Sequence, residues 1–316
     1  MGDEMTMLNN LDSLLKRLDT AYLIVGRNTE KSEFAKIAPI EQAQKHDLIF
    51  INVPDVNTMK MLKKTKASCI LLEKDWGQRH LSEIEKTGKC IHLVVHPRLV
   101  VAKLLKQIYG ENDIMPSGIH PTAIIDDKAE IHESVFIGPY CVIGVCSIEE
   151  GSQIHAHTIV KDCVRIGKNV MIREHCIIGS LGFGFVRNDD EIPLWITQAG
   201  GVVIEDGVEI FPFSNVDCGT FGNTVIESKA KIDHFVHVSH NTKIGKNCII
   251  TAGAIFCGSS SIGKNSWAGI GSIIKQGIKV GSHVTLGMGA VVLKDVEDWD
   301  VVGGVPARSL RGNKDE

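Results

Sequence analysis

Through most of the last two thirds of the chain an aliphatic residue returns at every sixth position. The longest unbroken run leads with Ile226, Ile232, Val238, Ile244, Ile250, Phe256, Ile262, Ala268, Ile274, Val280 and Leu286. The fifth residue of each six is small or aliphatic far more often than charged. A period of six is neither the 3.6 of a helix nor simple alternation. Short strands joined by corners at fixed spacing do produce it, which is the signature of a parallel β-helix. Three strands close one triangular coil and coils stack about 4.8 Å apart, so residues eighteen apart stand one above the other. His240 and Gly258 are such a pair. His240 is the third residue of its six, where the chain turns, so its imidazole is expected to project from a corner.

The array starts at Ile119 and steps by six to Ile143, takes one step of five to Ile148, and continues to Ile178. It then breaks twice, from Ile178 to Ile204 and from Val216 to Ile226. These gaps predict loop insertions near 180–202 and 217–224, and loops thrown out of a rigid solenoid are where function tends to sit. Ahead of the array the pattern changes. Residues 1–20 read as an amphipathic helix with Leu8, Leu11, Leu14, Leu15 and Leu18 on one face. Apolar runs at 21–25, 47–53, 67–72 and 91–95 alternate with helical patterns at 55–64 and 97–109, which predicts a small α/β domain. Pro116, Gly118 and Pro121 mark a linker. The expected organisation is an α/β domain over 1–112, a mainly β unit of hexapeptide coils over 113–298, and a polar, loop-like tail over 299–316.

Composition narrows the function. A net charge of −4 with scattered basic residues gives no footprint for nucleic acid. The longest apolar runs fall short of a membrane span and the polar start argues against a signal peptide, so a cytoplasmic protein is expected. Nine cysteines without a CxxC pair read as reduced thiols, most of them small hydrophobes within the repeats.

Several segments, in order, resemble the UDP-3-O-acylglucosamine N-acyltransferases of lipid A synthesis, over about residues 35–300. They are IAPIEQAQKHDLIFINVPD at 37–55, IHPTAIIDDKAEI at 119–131, IGSLGFGF at 178–185, VDCGTFGNTVI at 216–226 and IDHFVHVSHN at 232–241. The resemblance implies a left-handed parallel β-helix and a homotrimer. It implies transfer of an acyl group from an acyl-carrier-protein or coenzyme A thioester to the amine of a nucleotide-linked amino sugar, with no permanently bound cofactor. His240 falls on the family's catalytic histidine and Gly258 on its oxyanion donor. Chemistry agrees: a histidine titrates near neutrality and can take an amine proton, and a residue without Cβ lets an acyl group approach its N–H.

Further candidates follow from the same segments. Phe50 falls on an aromatic that stacks on uracil, and Asn52 is placed to bond the base; a core position is the plainer reading of Phe50. Phe183 and Phe185 either close over a sugar or acyl chain or dock their loop to the coil. Asp217 either orients His240, binds the sugar amine or caps a turn. Asn241 and His237 flank the general base as substrate contacts. Three histidines so close, His234, His237 and His240, raise a metal site like that of the γ-class carbonic anhydrases. The ligands of one turn point to different sides, so no metal is expected. The ending VVGGVPARSL at 301–310 resembles that of coenzyme A-dependent sugar acetyltransferases, which offers Arg308 and Arg311 to cofactor phosphates. It leaves a short-chain acetyltransferase as one alternative and a non-catalytic nucleotide-sugar-binding protein as another.

Overall fold

The computed structural model describes residues 9–25, 32–110 and 117–311. It divides into two compact units, residues 1–114 and 115–316.

In the first unit four short strands, 36–37, Asp47–Ile51, Cys69–Glu73 and Cys90–Val94, pair in parallel, and Leu23–Val25 adds an antiparallel edge beside the last. Alternation along Asp47–Ile51 splits the core in two. Leu48 joins Leu11, Leu15 and Leu104 on one face, where the helices Leu11–Arg17 and Pro97–Tyr109 lie. Ile49 and Ile51 join Leu62 and Ile84 on the other, under Thr58–Lys64 and Leu81–Glu85. The helix expected over residues 1–20 spans Leu11–Arg17 among the described residues, and Leu8 lies outside them. A two-stranded pairing of Asn9–Asn10 with Glu33–Phe34 precedes it.

Among the described residues the second unit is a solenoid of mostly two-residue strands gathered into three sheets of eight, eleven and nine strands, parallel throughout apart from the end strand Arg308–Ser309. We call them faces A, B and C, holding for example Lys243–Ile244, Ile249–Ile250 and Ile255–Phe256. Leading residues stack in register: Ile226 on Ile244 on Ile262 on Val280, and Val216 on Val238 on Phe256 on Ile274. From Ile137 to Val292 the leading side chains are almost fully buried in one continuous core. The fifth positions are buried too, and several of their small polar groups donate to carbonyls of the next coil, Cys248 Sγ to Gly263 at 3.0 Å and Ser266 Oγ to Gly281 at 3.0 Å. Burial pushes the Cys176 and Cys248 thiols up to about 11, so they pack as apolar groups. Cys163 differs, being exposed at a corner.

Phe256 is the one aromatic ring in this aliphatic column and is fully buried. Phe256→Ala is expected to destabilise the solenoid by about 3–5 kcal/mol, read as a lower denaturant midpoint with an unchanged m-value.

Each coil turns through residues in the left-handed region, and the three corners differ in composition. The A-to-B corner carries Gly151, Asn169, Gly207, Lys229, Asn247 and Asn265, then the stacked rings of His283 and Trp299. The B-to-C corner carries Tyr140, His157, His175, Phe213 and Phe235, then Gly253, Gly271 and Gly289. The C-to-A corner carries Cys163, Asn241, Ser259 and Gly277. The insertion after Ile178 contains an antiparallel hairpin, Phe185–Arg187 with Pro193–Trp195. The tail is more ordered than its polarity suggested: Val301–Gly303 adds a strand to face B under Thr285–Leu286, and Arg308–Ser309 folds back on it. Val302 supplies the reason, a buried apolar anchor that joins the coil core.

Candidate active site

His240 follows the face C strand His237–Val238 and sits on the C-to-A corner. Its carbonyl accepts the Ser259 N–H of the next coil at 2.9 Å, so the stacking set by the eighteen-residue repeat holds at this corner. The imidazole lies flat against Gly258: a Cβ built there would meet the ring Cε1 and Nε2 at 2.5 Å. Only glycine leaves room for the ring in this pose. The ring is oriented from the other side, where its Nδ1 is 3.2 Å from Asn241 Oδ1. An amide oxygen only accepts, so this contact places the proton on Nδ1 and leaves Nε2 with its lone pair free.

The two insertions build the walls. Gly182 of the first lies on His240, with its would-be Cβ 3.0 Å from His240 Cβ. Gln198, twenty residues beyond Ile178, accepts from Thr220 Oγ1 at 2.9 Å, and Thr220 N–H donates to Asn241 Oδ1 at 2.9 Å. Asn241 Oδ1 therefore ties the second insertion to the histidine. The backbones of the insertions also pair, Ala199 N–H to Thr220 at 2.8 Å and Gly200 N–H to Gly219 at 2.9 Å. The pairing is close enough that a Cβ on Gly200 would fall 1.8 Å from the Gly222 carbonyl. Sequence reading named neither Gln198 nor Thr220; the second break in the repeat was the signal that this loop mattered.

Among the side chains around it, Asp217 meets His237 and not His240. Its buried carboxylate accepts from Ser180 Oγ and Asn215 Nδ2 at 2.7 Å each and lies 3.6 Å from His237 Nε2. It orients His237, and His240 takes its orientation from Asn241. The reason is the strand geometry: Asn215 and His237 are direct register partners on face C, and Asp217 follows Asn215 by two residues. Phe183 and Phe185 lie in the first insertion, beside and on its hairpin strand Phe185–Arg187. Phe183 is 89% exposed, and its ring centroid is 4.9 Å from that of Phe185. His234 is paired with Asp233 at 2.7 Å, and among the described residues no group of three or more His, Cys, Asp or Glu side chains has metal-holding geometry.

In the α/β unit Phe50 is half-buried against the Leu11–Leu104 cluster. Asn52 is exposed just past the carboxyl end of its strand, and its Oδ1 accepts the Arg98 N–H at 3.1 Å in the first turn of the helix Pro97–Tyr109. Its side-chain NH2 stays available to a ligand. Arg308 and Arg311 are exposed at the far end of the solenoid, beyond Val292, which stacks three coils from Val238. At about 4.8 Å per coil this is roughly 14 Å along the axis from the His240 level.

The site belongs to a recognisable lineage. Residues 223–258, which include His240 and end at Gly258, match the bacterial transferase hexapeptide family (six repeats). A UDP-3-O-acylglucosamine N-acyltransferase 1 of Gloeobacter violaceus is 36% identical over 290 residues, covering 85% of this chain and 80% of that protein. The chain belongs to the UDP-3-O-acylglucosamine N-acyltransferase family. A UDP-3-O-acylglucosamine N-acyltransferase of Coxiella burnetii is 34% identical over 80% of this chain and 77% of its own length. Among solved structures, LpxA of Acinetobacter baumannii aligns over 60% of this chain and 72% of its own, with a TM-score of 0.55 and 29% identity. A Francisella novicida UDP-N-acetylglucosamine acyltransferase aligns over 61% of this chain and 68% of its own, with a TM-score of 0.55 and 27% identity. The solenoid of this acyltransferase is thus the left-handed β-helix of that group. Among the described residues no helix is long and apolar enough to cross a membrane.

Proposed function

We propose that this acyltransferase moves an acyl group from a pantetheine thioester to the amine of UDP-3-O-acylglucosamine, the N-acylation its relatives are named for, and that it does so in lipid A synthesis. The observation that carries the reading is the imidazole seated on Gly258 with its Nδ1 anchored by Asn241 and Nε2 free. Nε2 takes the proton of the sugar amine as the nitrogen attacks the thioester carbon. The Gly258 N–H, which donates to no acceptor among the described residues, receives the oxyanion. Collapse breaks the C–S bond, and the imidazolium returns its proton to the departing thiolate. No covalent acyl-enzyme is needed.

Asp217 and His237 form a second polar wall for the sugar, and the exposed rings of Phe183 and Phe185 offer an apolar surface to the acyl chain. In the α/β unit Phe50 and Asn52 receive the base. The donor is an acyl-carrier protein, with coenzyme A as the alternative for which Arg308 and Arg311 speak. The assembly is a homotrimer working in the cytoplasm. Asn241→Ala is expected to release both Thr220 and the imidazole and to lower kcat roughly tenfold or more, since the wrong tautomer becomes accessible. Steady-state kinetics with folding checked by circular dichroism reads this directly.

Purified protein given UDP-3-O-acylglucosamine with hydroxyacyl-carrier protein or, separately, acetyl-coenzyme A tests the assignment by mass spectrometry. Long-chain transfer from the carrier protein supports it. Acetyl transfer alone would move the enzyme to the short-chain class, and product from neither would leave the nucleotide-sugar-binding reading.

A further inference from the structure

The α/β unit buries a set of polar and nucleophilic side chains that the proposed reaction does not use. Cys69 and Cys90 open the neighbouring parallel strands Cys69–Glu73 and Cys90–Val94 and are direct register partners. Such partners stand about 4.8 Å apart, inside the roughly 4.4–6.8 Å between Cα atoms that a disulfide spans. Both are free thiols, 1% and 4% exposed, and their side chains share a hydrogen bond. Two further groups close on Cys90. Its Sγ is 3.7 Å from Ser32 Oγ and 3.9 Å from His92 Nδ1. The other ring nitrogen of His92, Nε2, is 3.2 Å from Ser32 Oγ and 3.4 Å from Asp12 Oδ1. His92 is completely buried, with the Tyr22 ring tilted against it at 5.7 Å between centroids. Asp12 and Tyr22 are half-buried and carry the cluster to the surface.

The arrangement gives the two sulfurs different tasks. Cys90 takes hydrogen bonds from Cys69, then from His92 and Ser32, and these hold its thiol below the usual range in spite of burial. The bond that Cys69 gives to Cys90, together with its own burial, pushes the Cys69 thiol up, so it keeps its proton. Burial alone has the opposite effect on Cys90-like positions elsewhere: Cys176 and Cys248 are as buried, donate to carbonyls, and have thiols pushed up to about 11.

We infer that Cys90 is a modification site for hydrogen peroxide, with Cys69 as the thiol that resolves it into a Cys69–Cys90 disulfide. The Cys90 sulfur attacks one peroxide oxygen and the O–O bond breaks. The departing hydroxide takes the proton that His92 holds and leaves as water, and Cys90 becomes a sulfenic acid. The Cys69 sulfur then attacks that of Cys90, the S–O bond breaks, and the hydroxyl leaves as a second water with the Cys69 proton. Two thiols and one peroxide give one disulfide and two waters, and the two electrons lost by sulfur reduce the peroxide. Burial selects the oxidant, because peroxide is close to water in size and a bulky disulfide such as oxidised glutathione is not.

The test is an equimolar pulse of hydrogen peroxide on the reduced full-length protein at neutral pH, followed by alkylation, digestion and peptide mapping by mass spectrometry. The Cys69 and Cys90 peptides should appear linked and lighter by two hydrogens before the exposed Cys163 is oxidised, with Cys176 and Cys248 alkylated in full. Native protein should form the link roughly tenfold faster or more than protein in denaturant, where the cluster is gone. Cys69 and Cys90 alkylated in full after Cys163 has reacted would overturn the proposal, and so would equal rates with and without denaturant. Both readings come from the wild type, so they stand whether or not a variant folds. Cys69→Ser should stop at a Cys90 sulfenic acid that dimedone captures, and Cys90→Ser should give no adduct on Cys69. A dimedone adduct on Cys69 in that variant would overturn Cys90 as the attacking thiol. His92→Gln, folded by circular dichroism, should slow the link roughly tenfold; an unchanged rate would remove His92 from the site.

Discussion

His240→Ala is expected to lower kcat/KM for acyl transfer by roughly 10²–10⁴-fold, the range a positioned general base contributes. That corresponds to about 3–5 kcal/mol of transition-state stabilisation. The loss should appear in kcat, because the imidazole acts on a proton that moves during attack and does not hold the ground state. The fold should survive, since the side chain projects from a corner while the coil core at this level is made by Val238 and Phe256. Thermal melting within a few degrees of wild type, alongside the kinetic loss, would separate chemistry from stability. An acylation rate unchanged in the alanine variant would remove His240 from the mechanism.

The second large effect belongs to a residue with no side chain. Gly258→Ala would put a methyl 2.5 Å from the His240 ring, inside van der Waals contact with both Cε1 and Nε2. The ring has to swing away, and the methyl then covers the N–H proposed to meet the oxyanion. Loss of an oxyanion donor alone costs about 10²–10³-fold, and displacement of the base adds to it. We expect Gly258→Ala to match or exceed His240→Ala, and the double variant to be no worse than the poorer single one, because the two residues act as one device. The obstacle is a corner side chain and the Gly258 φ is unremarkable, so stability should change little. A Gly258→Ala enzyme with wild-type kcat would show that the close packing at this corner has no catalytic meaning.

Much of this was legible in the chain because the solenoid writes its geometry with a fixed period. One inward residue in six is buried in every turn, so Ile226, Ile244 and Ile262 announce both the strand and its neighbour eighteen residues away. The same arithmetic placed Gly258 under His240 without any knowledge of the loops. Legibility ended where the period ended. The bond from Thr220 to Gln198 joins two insertions whose spacing obeys no repeat, and Asp217 found His237 because Asn215 and His237 are register partners across a coil of twenty-two residues. Strand alternation alone does not say which of two neighbouring histidines a carboxylate will meet. The tail strands Val301–Gly303 and Arg308–Ser309 were missed for a related reason: two or three residues carry too little pattern, and Val302 counts as core only once the coil above it exists.

The measurement that bears most directly on the account is the linkage in the product. UDP-3-O-acylglucosamine incubated with the wild-type enzyme and hydroxyacyl-carrier protein should gain one acyl group by mass. That group should survive mild alkali, as an amide does and an ester does not. An alkali-labile product would mean that a hydroxyl is the acceptor and would contradict the amine chemistry proposed for His240.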